Sequence, residues 1–118
     1  MRLINMKKNG NNISSLFKLK KEEINKLIPD MGYCFASNKI TIDGLKVGYM
    51  YREEPTDATD SGWRFFSGTE SQAYVDNPDN FKIYDVNTIV NYDDSIIPYL
   101  SSSVGTELVK VDSTFKCN

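Results

Sequence analysis

Residues 60–68 read DSGWRFFSG, and the fold turns on which side of the chain this block presents. It holds the single tryptophan of the 118 residues, beside two phenylalanines and an arginine, with a glycine near each end. Just upstream, LKVGYMYREE (45–54) alternates Val47, Tyr49 and Tyr51 against Lys46, Gly48, Met50 and Arg52. Between the two runs lies PTDATDS (55–61), rich in residues that favour turns. The pattern predicts an antiparallel hairpin. With the turn centred near Asp57, Tyr51 faces Trp63 and Tyr49 faces Phe65, so four aromatics share one face. Met50, Arg64 and Phe66 then point the other way. A slip of one residue would carry the whole set to the opposite face. A tryptophan on such a run reads first as core, which places Trp63 and Phe65 inside. The alternative is an interface anchor, a role in which Trp, Tyr and Arg are enriched.

Outward from the hairpin, GYCFAS (32–37) predicts a strand, and NKITIDG (38–44) a second one ending at the Asp43-Gly44 turn. Apolar residues from Ile13 to Ile28, clearest in KKEEINKLI (20–28), predict an amphipathic helix that Pro29 closes. Residues 1–12 lack periodicity and contain NGNN, which predicts a flexible start. Downstream, TESQAYVD (69–76) reads as a short helical turn. Ile83, Val86, Ile89 and Val90 share a helical face that Asp85 could cap. Asp93 or Asp94 caps SIIPYL (95–100), VGTELVKVD (104–112) closes the fold as a strand, and STFKCN (113–118) trails off. The expected fold is therefore α+β: a small curved antiparallel sheet with an N-terminal helix, and short helices after the central hairpin. The expected organisation is one domain over residues 13–118.

Composition narrows the chemistry. Hydrophobic content of 40% with 25% charge suits a globular protein. No window approaches the ~18 apolar residues of a membrane span, and no apolar stretch follows the basic N-terminus as a secretory signal would require. A cytoplasmic location and two free thiols, Cys34 and Cys117, are the expectation. The chain has no histidine, which removes the commonest general base and zinc ligand. Glu53 and Glu54 are adjacent on a strand, so they point to opposite faces and make a poor acid–base pair. DNPDN (76–80) lacks the glycine and closing glutamate of a calcium loop. The glycines match no phosphate-binding pattern. We therefore expect no catalytic residues, cofactor or metal, and neither nucleic-acid nor membrane binding.

Charge is distributed unevenly. Residues 1–26 carry seven Lys/Arg against Glu22 and Glu23, whereas residues 53–94 carry ten Asp/Glu against Arg64 and Lys82, a local balance of −8. Such asymmetry speaks of partners. The candidate partner-binding residues are Glu53, Glu54, Asp57 and Asp60 on the hairpin loop, Arg64 beside them, and Asp76 and Asp79 on the later loop. All but Arg64 are expected to be exposed loop charges.

The runs KITIDGLKVGYMYREEP, DSGWRFFSG and DNPDNFKIYDVNTIVNYDDSIIPYL, in this order, resemble a bacterial family once catalogued as a domain of unknown function. That family is now assigned, by genomic association, to the immunity proteins of polymorphic toxin systems. The resemblance spans roughly residues 32–112 and rests on GWRFFSG, the preceding VGYMYRE and the following YDVNTI taken together. It implies an α+β fold, no enzymatic activity, and binding of a cognate protein toxin. A basic nuclease would suit the acidic middle of the chain. Two other readings compete: a small-molecule-binding or regulatory domain walled by the aromatic hairpin, and a hydrolase using paired carboxylates.

Overall fold

The computed structural model describes residues 16–118. Nine elements and several 3-10 turns follow in order: β1 (Tyr33–Ser37), α1 (Asn38–Thr41), β2 (Tyr49–Arg52), β3 (Asp60–Phe66), α2 (Gln72–Asp76), β4 (Phe81–Asp85), α3 (Val86–Tyr92), β5 (Glu107–Val111) and β6 (Thr114–Cys117). The strands form one sheet in the order β4-β1-β3-β2-β5-β6. The hairpin of β2 and β3 lies at its centre, as its local turn chemistry predicts.

The expected antiparallel sheet needs correction, because β1 runs parallel to β3. The sheet is mixed and open. The parallel pairing joins residues about thirty positions apart, with α1 and the hairpin's first strand between them, and no local pattern announces it. NKITIDG is also not a strand. Residues 38–41 form α1, capped by the Ser37 hydroxyl accepting from the Lys39 N–H. The segment STFKCN does not trail off but returns as edge strand β6. Its two-residue turn puts Asp112 and Ser113 at φ of 51° and 69°, the conformation a tight hairpin requires.

The expected N-terminal helix is absent among the described residues. Its N-terminal part and the flexible start expected for residues 1–12 lie outside them. Lys21–Glu23 makes one 3-10 turn, and the chain then runs extended. The reason sits on α3. Asn91 accepts from the Asn25 N–H at 3.0 Å, and Asn87 accepts from the Leu27 N–H at 2.8 Å. Both side-chain amides donate back to the Asn25 carbonyl, at 2.8 and 2.9 Å. Two asparagines thus satisfy backbone groups that a helix would otherwise pair with each other.

One face of the sheet carries the core. Cys34, Ala36, Met50, Trp63, Phe65 and Leu108 pack beneath Ile40, Val47, Val86, Ile89, Val90 and Ile96. On α3 the buried positions Val86, Ile89 and Val90 keep helical spacing, with Asp85 in the cap position, while Ile83 stands on β4 and is exposed. Tyr92 locks this layer: its hydroxyl accepts from the Leu19 N–H and donates to the Thr41 carbonyl, each at 3.2 Å. No helix among the described residues is long and apolar enough to cross a membrane.

The hairpin register is one residue away from the expected pairing. Met50 lies opposite Phe65, Arg52 opposite Trp63, Tyr51 opposite Arg64 and Tyr49 opposite Phe66. Trp63 and Phe65 are fully buried, as their composition predicts, but Tyr49 and Tyr51 share the other face with Arg64 and Phe66. An irregularity in β3 accompanies this. Tyr33 pairs with Asp60 and Phe35 with Arg64, so β3 spends two extra residues there. Gly62 sits inside the irregularity at φ 86°, and an added Cβ would run into the Glu53 carbonyl oxygen. Gly62→Ala is expected to cost at least about 1–3 kcal/mol. Thermal denaturation should show it as a melting temperature lowered by several degrees.

Candidate interaction face

The second face of the sheet is aromatic and largely uncovered. Cross-strand registers align Phe35 of β1 with Arg64 of β3, Arg64 with Tyr51 of β2, and Tyr51 with Glu107 of β5. The next row runs from Phe66 to Tyr49 to Val109. Ring centroids lie 5.5 Å apart for Tyr49–Phe66, 5.8 Å for the stacked Tyr51–Phe66 pair, and 5.4 Å for Phe66–Phe81. Tyr74 of α2 extends the cluster at its Phe81 end. These rings are all half-buried, held by one another rather than by a covering layer. Such contacts each add about 0.5–1.5 kcal/mol beyond area burial.

Three adjoining clefts open on this face and share Tyr51 or Phe66 as wall residues. One, of about 360 Å³, lies between Phe35, Arg64, Phe66, Val75 and Phe81. A second, of about 410 Å³, lies between Tyr49, Phe66, Glu70 and Val109. The third, of about 450 Å³, is bounded by Tyr49, Tyr51, Glu53, Glu54 and Glu107.

Beneath the face sits a buried ion cluster. Arg64 is 4% exposed and Asp60 6%. Arg64 donates to both Asp60 carboxylate oxygens, at 3.0 and 2.8 Å, and through Nε to Glu53 at 2.6 Å. Its flat side lies 4.6 Å from the Phe35 ring centroid. Asp60 further accepts from the Thr56 N–H and hydroxyl and from the Gly62 N–H. The Arg64 hydrogen bonds outweigh burial and hold the Asp60 carboxyl far below the usual carboxylate range. Burial opposes the Arg64 charge, but its bonds to Asp60 and Glu53 more than restore it.

Of the residues singled out from the sequence, Glu53, Asp60 and Arg64 come together in this cluster. Asp60 is thus not the exposed loop charge it was expected to be: its carboxylate ties the hairpin loop to β3. Glu54 borders the 450 Å³ cleft. Asp57 stands exposed at the loop tip, accepting from Thr59 and from the Tyr33 hydroxyl, which lowers its pKa. Asp76 and Asp79 are exposed and flank Val75 and Pro78, which line the 360 Å³ cleft. Asn77 and Asn80 are spent on the turn itself, accepting from the Asp79 N–H and donating to the Tyr74 carbonyl.

Residues that sequence reasoning left out are Phe35, Glu70, Phe81 and Glu107. Glu107 accepts from the Tyr49 hydroxyl and from the Asn118 side chain. Burial first, and the Glu107 carboxylate next, raise the Tyr49 phenol well above its ordinary value, so it stays a donor. The alternation of ELVKV placed Glu107 on one face with Val109, which was a usable signal.

The family model of the immunity protein Imm33 domain matches residues 34–116. No curated protein and no solved structure matches the chain.

Proposed function

We propose, from the premise that the chain belongs to the Imm33 immunity-protein family, that it binds a cognate protein toxin through the aromatic sheet face and so neutralises it. The single observation behind this choice of surface is that face: a half-buried aromatic cluster with open clefts, on the side of the sheet opposite α1 and α3 and bordered by α2 at one end. Tyrosine, phenylalanine and arginine on a pre-formed sheet supply contact area at low entropic cost. Acids frame the aromatics: Glu53, Glu54 and Glu107 to one side, Glu70, Asp76 and Asp79 to the other. Partner binding by Glu53, Glu54, Asp57, Asp76 and Asp79 belongs to this proposal, with Asp60 and Arg64 shaping the surface from below. A basic toxin, such as a nuclease whose own site attracts phosphate, fits that charge. Action in the cytoplasm, as a non-enzymatic single-domain binder, completes the reading.

Co-expression with a candidate toxin from a neighbouring gene tests the proposal. Toxicity should be relieved and a complex isolated. The association rate should fall steeply as salt rises, because screening shortens electrostatic reach to about 8 Å at physiological ionic strength. Asp57→Lys should slow association while the chain stays folded, since the bonds it loses to Thr59 and Tyr33 lie at an exposed loop tip. No relief and no complex would reject the proposal. The 360 Å³ cleft is within the size range of small-ligand sites. It keeps small-molecule binding as the second reading, which a ligand retained through purification would favour.

A further inference from the structure

We propose that the cleft between Tyr49, Tyr51, Glu54 and Glu107 receives an arginine side chain from a basic protein. The proposal rests on the reading that this face meets a protein partner.

The chemistry of the walls selects the occupant. Tyr49 and Tyr51 offer half-buried rings 5.9 Å apart. Glu53, Glu54 and Glu107 bring three carboxylates to the same opening. Among the described residues, neither Glu54 nor Glu107 makes an ion pair, and Glu53 shares its one partner with Asp60. The nearby cations are committed elsewhere. Arg52 borders the cleft, but its guanidinium donates to the carbonyls of Ser61 and Ser102, at 2.9 and 2.8 Å, and lies over the Trp63 ring on the core side. Arg64 is held by Asp60 and Glu53. Lys116 stands on β6, two strands from Tyr49. The sheet face therefore presents an anionic, aromatic-walled cleft with no resident cation among the described residues.

Arginine suits it better than lysine. A guanidinium is weakly hydrated, stacks on a tyrosine face, and can bridge two carboxylates through its fork of donors. Glu107 is already oriented by the Tyr49 hydroxyl and the Asn118 amide, so little ordering remains to be done on binding. An anionic or purely apolar ligand would leave these carboxylates uncompensated.

The test uses the full chain, isotope-labelled, titrated with a hexa-arginine peptide and followed by amide chemical shifts. Hexa-lysine and hexa-glutamate serve as comparisons. The expected shifts centre on Tyr49, Tyr51, Glu54, Glu107 and Gly105, which also lines the cleft; they are weaker with hexa-lysine and vanish with hexa-glutamate. The double variant Glu54→Gln/Glu107→Gln, isosteric and partly solvent-facing, should keep the native spectrum and weaken binding about tenfold or more. Shifts spread evenly to Asp76, Asp79 and Asp94, or binding unchanged in the double variant, would overturn the proposal. Equal response to hexa-lysine would overturn the choice of arginine. In the free chain, contacts of the Tyr49 and Tyr51 rings with residues 1–15, or a dimer burying those rings, would name another occupant and overturn it too. The probe contains no toxin, so this result is read independently of the co-expression experiment.

Discussion

Trp63→Ala is expected to lower the free energy of unfolding by about 3–5 kcal/mol. Against a typical total of about 5–15 kcal/mol, that is a large part of the protein's stability. Three losses combine. The indole is fully buried, so its removal leaves a cavity in the layer between sheet and helices. Its N–H donates to the Leu100 carbonyl at 3.1 Å, tying the chain after the 3-10 turn Asp94–Tyr99 to the centre of the sheet. It also stacks on Phe65, centroids 5.9 Å apart, and supports the Arg52 guanidinium at 5.6 Å. Trp63→Phe should recover part of the loss, because it refills much of the cavity while leaving Leu100 with the longer bond from Arg52. Tyr51→Ala supplies the contrast. That ring is half-exposed on the opposite face, so its removal should cost less stability and more partner affinity. Chemical denaturation of the three variants, with binding measured alongside, reads both scales. A Trp63→Ala protein with unchanged unfolding midpoint would contradict the core assignment.

The two faces of one hairpin show what the sequence disclosed and what it withheld. That residues 45–68 form a hairpin was legible, because turn chemistry and alternation are local. That Trp63 and Phe65 are core was legible from composition. Which tyrosines share their face was not. The register depends on the irregularity at Gly62 and on the Asp60 carboxylate tying the loop to Arg64, and neither has a periodic signature. The mistaken N-terminal helix has a similar origin. KKEEINKLI carries helical spacing, yet Asn87 and Asn91, some sixty residues later, satisfy the backbone of Asn25 and Leu27 in an extended form. β4 was missed because FKIYD is an edge strand with its middle residues exposed, so burial leaves little trace in its pattern. The candidate face follows the same division. Its acids stood out as a run of charge, whereas its aromatic surface draws Phe35, Tyr51, Phe66 and Phe81 from four strands that only the mixed topology brings together.

The second large effect is expected at Asp60. Asp60→Ala should cost about 3–5 kcal/mol, because it leaves the Arg64 charge buried with only the half-exposed Glu53 to balance it. The loss should be larger than the net worth of the pair, and a double variant separates the two. Asp60→Leu combined with Arg64→Met removes both charges from the same space, and replacing a buried pair with apolar groups is often near neutral. The double variant should therefore be more stable than Asp60→Ala, while Thr56 and Gly62 lose the acceptor that anchors the loop. The pH dependence carries the same signature. The folded state holds the Asp60 carboxyl far below its unfolded value near 3.9. Its contribution is therefore fully present above that value and is lost as pH falls toward the folded pKa. Unfolding free energy measured downward from about pH 5 should fall for the native chain, and more gently for Asp60→Asn, which has no such proton to take up. Equal slopes would mean that Asp60 does not report the folded state. The consequence reaches the candidate face, because Arg64 holds Glu53 at 2.6 Å and lies against Phe35. A chain that has lost Asp60 should thus bind its partner more weakly even at temperatures where it remains folded. The ion cluster beneath the aromatics keeps the surface above it in shape.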